Sequence, residues 1–114
     1  MEREALQSYC LQKMGVSLEY PFESDIMVFK VMGKMFALLS ANDPLTISLK
    51  CDPMWANVLR EAYSAVRPGW YKDLWNLVLV DGSIPHDELL EMVDHSYEQV
   101  VKKLNKADRK KLGY

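Results

Sequence analysis

No apolar run in the 114 residues approaches the roughly 18 that a membrane helix needs. The first ten residues, MEREALQSYC, are charged and amphipathic, without the apolar block of a secretory signal. A cytoplasmic protein is expected. Only two cysteines occur, Cys10 and Cys51, too far apart for a CxxC or any other metal-ligand spacing. They are expected to be reduced thiols packed as small hydrophobes. Only two histidines occur, and there is no HxxxH pair and no Asp-rich calcium loop. A basic excess is also missing. Fourteen Lys and Arg stand against sixteen Asp and Glu, giving a formal charge of −2, where a dedicated nucleic-acid binder usually carries a positive balance.

What is present is ordinary globular composition. Of the residues, 49% are hydrophobic and 26% charged, with five glycines and five prolines. That excludes a disordered chain, and the length suits a single domain with one core over residues 1–114.

Hydrophobic periodicity places the elements. A helix is expected from about Glu2 to Met14, stopped by Gly15. The stretch SDIMVFKVMGKMFALLS reads as two strands around a tight turn at Met32-Gly33-Lys34. After a second turn, Ala41 to Pro44, the segment LTISLKC alternates strictly. Leu45, Ile47, Leu49 and Cys51 face one side, and Thr46, Ser48 and Lys50 face the other, as in a half-buried strand with one wet face.

Asp52-Pro53 is a helix start, and Trp55, Val58, Leu59, Ala62, Tyr63 and Val66 form an amphipathic stripe that Pro68-Gly69 ends. Trp75 to Val80 reads as a further strand, with an extra short one expected around Trp70. A last helix runs from near Pro85 to about Leu104, followed by a basic tail over 104–114. Between Lys102 and Lys111 there are six cations and one Asp. The predicted class is α+β, a two-layer sandwich. An antiparallel sheet carries helices mainly on one face, in the order α-β-β-β-α-β(β)-α.

Catalytic chemistry is not signalled. Glu91 and His95 can meet at i, i+4, but no nucleophile is placed beside them, since Ser96 sits mid-helix without a strained turn. A structural helix histidine is expected at His95, and an exposed one at His86. A site at Glu91, His95 and Tyr97 would need a real cleft. The Met32 to Lys34 segment is no phosphate loop, because it lacks the first Gly and the Ser/Thr. No catalytic residue, metal or cofactor is predicted.

Binding signals remain. Lys30, Lys34 and Lys50 lie on or beside strands, and Lys72 sits next to Trp70 and Tyr71. Lysines interleaved with aromatics can neutralise phosphates and stack on bases. The same lysines can equally guard a solvated face, with Trp70 and Trp75 in the core. The C-terminal cations also suit a helix dipole.

Three stretches carry a family resemblance. PFESDIMVFKVMGKMFALLS is followed by LTISLKCDP and later by DGSIPHDELLEMVDHSYEQVV. The Lys30–Gly33–Lys34–Phe36 hairpin, the Leu49 to Pro53 junction and Asp94-His95-Ser96-Tyr97 resemble the MmcQ/YjbR family over roughly Leu18 to Leu104. The resemblance implies an α+β, secretion-chaperone-like fold without catalytic residues or cofactors. It also implies DNA binding through a double wing of β-hairpins. The relatives carry a pattern like Pro-Gly-Tyr-His and then His-Trp in the region of Pro68 to Trp75. Here Pro68, Gly69 and Trp75 match, whereas Trp70, Tyr71 and Leu74 replace polar positions and the loop is about two residues shorter.

The expected partner is DNA, bound weakly and non-specifically by Lys30, Lys34, Lys50, Trp70, Tyr71 and Lys72. The alternative is a protein or peptide held on an exposed sheet face and aromatic patch. A monomer or weak dimer, with no membrane contact, is expected in either case.

Overall fold

The computed structural model describes residues 2–21, 25–69 and 74–114. Among them, helix α1 (Arg3–Leu11) precedes strand β1 (Val16–Glu19). Strands β2 (Ile26–Val31), β3 (Lys34–Ser40) and β4 (Thr46–Lys50) follow. Next come α2 (Pro53–Ala62), β5 (Val66–Pro68), β6 (Trp75–Leu79), α3 (His86–Val101) and α4 (Lys106–Lys111). The strands form one antiparallel sheet in the order β1-β2-β3-β4-β6-β5. None of the described helices is long and apolar enough to cross a membrane.

The expected hairpin is present. Val31 pairs with Lys34, and both residues between them have positive φ, Met32 at 49° and Gly33 at 82°. That is the twist a two-residue hairpin demands, and Gly33 meets it without steric cost. A bulge between Phe29 and Lys30 brings Phe36 and Ala37 together into the core below.

The alternation in β4 holds, with Ile47, Leu49 and Cys51 buried and Thr46, Ser48 and Lys50 half-buried on the other face. Both cysteines are free of a disulfide and buried. Asp52 caps α2 as expected, its carboxylate accepting from the Trp55 N–H at 3.3 Å, with Pro53 at the first helical position.

All helices pack on one side of the sheet. Leu6 and Cys10 of α1, Ala56 and Leu59 of α2, and Leu89, Val93, Tyr97 and Val100 of α3 share one core with Phe29, Leu39, Ile47 and Val78. Among the described residues no helix covers the opposite face. Val28, Leu38 and Trp75 form a second, small cluster there, flanked by Ile26 and Met35.

Four features differ from the sequence reading. Strand β1 was not expected, because four residues between Gly15 and Pro21 offer too short an alternation. Pairing with β2 makes it an edge.

Helix α2 stops at Ala62, where Tyr63 turns extended (φ −132°, ψ 121°). Val66 therefore belongs to β5, opposite Val78, and Val58 is 57% exposed. The stripe buried on α2 is narrower than predicted, with Ala56 and Leu59 in the core and Trp55 partly buried against it.

The extra strand expected around Trp70 lies outside the described residues. The short strand that is described, β5, comes earlier, at the edge where a strand proline such as Pro68 is tolerated.

The basic tail is folded. Asn105 caps α4 by accepting the Asp108 N–H at 2.8 Å, and Leu112 is buried.

Candidate functional site

The motif Asp94-His95-Ser96-Tyr97 binds α3 to its surroundings. Asp94 accepts from the Tyr9 hydroxyl at 2.7 Å and from Lys13 Nζ at 2.5 Å. His95 Nε2 accepts the Asp52 N–H at 3.0 Å and packs edge-on against Trp55. The Ser96 hydroxyl accepts the Lys50 N–H at 2.8 Å and donates to the Phe36 carbonyl at 2.5 Å. The Tyr97 hydroxyl donates to the Met14 carbonyl at 2.6 Å. Four consecutive residues thus reach α1, the β4–α2 junction, β3 with β4, and the α1–β1 turn. Burial lowers the His95 pKa below its ordinary value, with Lys102 adding to the effect and Asp52 and Glu98 opposing it. A shallow hollow is lined by Trp55, Glu91, Asp94, His95 and Glu98. Tyr97 is not among its walls, so Glu91, His95 and Tyr97 do not converge on one cleft.

The lysines behave differently from one another. Lys30 is paired with Glu19 at 3.2 Å across β1 and β2, so its charge is offset locally. Lys34 and Lys50 converge with Lys103 on a cleft of about 330 Å³, whose walls also include Met35, Trp75, Val100 and Leu104. Lys34 reaches it from the hairpin, Lys50 from the end of β4 and Lys103 from beyond the last turn of α3. Among the described residues no carboxylate lies in ion-pair range of any of the three. Burial pulls the Lys50 ammonium below its ordinary pKa, and the like charge of Lys103 adds to this. Among the described residues the positive charge of the site is therefore unrelieved. Trp70, Tyr71 and Lys72 lie outside the described residues.

Lys103 was not singled out in the sequence because it was read with the whole basic tail. A signal existed: Ser96, Val100 and Lys103 follow at helical spacing, so Lys103 continues the side of α3 that faces β4.

A second hollow of about 200 Å³ adjoins on the open sheet face. Its walls are Ile26, Leu38, Ser40, Thr46, Ser48, Trp75 and Leu77. Trp75, 7% exposed, is common to both. The reading of Trp75 as core is therefore only part of its role, since it also lines both hollows.

A six-stranded antiparallel sheet with helices on one face and a basic cleft at the end of the other defines a small α+β protein with a surface site. The family model YjbR matches residues 11–99, and the chain belongs to the YjbR family. It is 35% identical over 111 residues to the uncharacterised protein YjbR of Escherichia coli K12, covering 94% of this chain and 93% of that one. It is 30% identical over 112 residues to the uncharacterised protein YbdF of Escherichia coli O157:H7, covering 96% and 92%. The crystal structure of Deinococcus radiodurans DR2400 superposes with a TM-score of 0.89 at 37% identity, covering 96% of this chain and 86% of that one. A Pseudomonas syringae protein shares the fold at TM-score 0.73 and 24% identity, over 87% and 98% of the two chains.

Proposed function

We propose that this protein is a non-catalytic, cytoplasmic binder of DNA that engages backbone phosphates with Lys34, Lys50 and Lys103. The observation that carries this reading is the convergence of the three lysines on one cleft with no acid in ion-pair range among the described residues. Two like charges held close enough for one to depress the pKa of the other lose that repulsion when an anion lies between them. The cations of the tail, Lys106, Arg109, Lys110 and Lys111, follow within eight residues of Lys103 in the sequence. The overall charge of −2 limits the affinity, so binding is weak and steeply salt-dependent.

Fluorescence anisotropy with a labelled duplex tests this. Three phosphate contacts correspond to a loss on the order of 40-fold in affinity between 50 and 200 mM salt. Replacing Lys34, Lys50 and Lys103 together by Gln is expected to remove most of that dependence. No binding at tens of micromolar protein in low salt overturns the reading. A dimer in sedimentation that Leu77→Lys dissociates, with no DNA binding, points instead to a protein-interaction surface on the open sheet face.

A further inference from the structure

We infer that the site accepts an unpaired nucleotide, with the phosphate on the lysines and the base in the adjoining hollow, and therefore prefers single-stranded to duplex nucleic acid. This rests on the phosphate reading above. Lys50, Ser48 and Thr46 are alternate residues of β4 and form one row on the open face. Alternate residues of a strand stand about 7 Å apart, which is the scale of the step from a phosphate to its own base. Apolar side chains flank the row on both sides, Leu38 of β3 opposite Ser48 on one and Leu77 of β6 opposite Ser48 on the other. Trp75 stands beside Lys50, at the junction of the basic cleft and the hollow.

The hollow has the chemistry of a base-sized site. Its walls are mostly hydrocarbon and indole, which suits the faces of a flat heterocycle. The Ser48 and Thr46 hydroxyls make no hydrogen bond among the described residues and can serve a base edge as donor or acceptor. The Ser40 hydroxyl is already committed, donating to the Pro44 carbonyl at 3.0 Å and accepting the Thr46 N–H at 2.9 Å. Neither hollow alone exceeds the lower end of the roughly 300–1,000 Å³ usual for a small-molecule site by much, but together they fall within it. A base stacked and paired inside a duplex cannot enter such a hollow, whereas an unpaired one can, with its phosphate left on the lysines.

The test compares a labelled oligothymidylate, a duplex of equal length and unlabelled thymidine monophosphate, each with the full chain and with Ser48→Leu. Leu at position 48 fills the hollow and removes a hydroxyl while leaving all three lysines in place. Circular dichroism and the melting temperature check its fold, and Leu77→Phe at the 37%-exposed neighbouring position provides an independent block that adds no charge. The single strand is expected to bind about tenfold tighter than the duplex, and either variant to erase that advantage without changing duplex affinity. Competition by the mononucleotide assigns the site to free nucleotides as well, and competition by oligomers alone assigns it to strands. Duplex binding as tight as single-strand binding, with both variants silent, overturns the inference and leaves the phosphate reading intact. Loss of binding to every probe overturns both.

Discussion

Ser96 illustrates how little a residue type says about its task. A serine in mid-helix offers no nucleophile, and its hydroxyl here joins the Lys50 N–H to the Phe36 carbonyl, fully buried. His95 has a comparable role with a measurable consequence. Its Nε2 accepts a backbone N–H, so the folded state requires a neutral ring, and burial lowers its pKa. An unfolded histidine titrates near 6.5. Below that pH the unfolded chain takes up a proton that the folded chain resists, so this contribution is present above about 6.5. It falls away as pH drops through 6.5 towards the depressed folded value and then levels off. The melting temperature is therefore expected to drop between pH 7 and pH 5. In His95→Gln, whose amide oxygen can accept the same N–H, the drop should be smaller. An equal drop in both proteins would assign the pH dependence to other groups. His95 as a structural residue was legible from the absence of any nucleophile, but the partner it holds, Asp52, lies 43 residues away and was not.

At the scale of elements, local rules worked where local chemistry decides. The Asp52-Pro53 start, the Met32-Gly33 turn and the alternation of β4 are each set by residues within a few positions, and each is present. Rules failed where packing decides. The Val58 and Val66 positions fit a helical stripe, yet Val58 is left 57% exposed, and Val66 completes a pair with Val78 instead. The tail is the clearest case. The six cations were read as a basic tail suited to a helix dipole, but Leu112 closes over Gly15, where an added Cβ would come within 2.6 Å of the leucine Cδ2. Gly15 also has φ of 76°, so any side chain there would be strained as well as crowded. Leu112→Ala is expected to cost about 2–3 kcal/mol, measured by urea unfolding. A loss under 0.5 kcal/mol would show that α4 adds little to the fold.

For the whole molecule, one core links the far ends of the chain. Cys10 on α1 and Cys51 at the end of β4 both lie in it, and burial pushes their thiols up to about 12 and about 11. Lys13 opposes the shift at Cys10, and Asp52 adds to that at Cys51. Neither thiol should react with a disulfide reagent at pH 8 in the native protein, and both should react at the rate of global opening. Rapid labelling of either one under native conditions would mean that its part of the core opens separately.

The sequence by itself determined the α+β class, the order of the principal elements, the hairpin, the helix starts and the family, because periodicity and turn chemistry act over short spans. It also marked Lys34 and Lys50 as binding candidates. Only the tertiary structure decided that Lys30 is neutralised by Glu19 while Lys34 and Lys50 join Lys103. It also placed Trp75 in the walls of both a basic cleft and an apolar hollow. The physical reason is that electrostatic and packing partners are set by distance in space. Positions 34, 50, 75 and 103 become neighbours only once the sheet is paired and α3 lies across it.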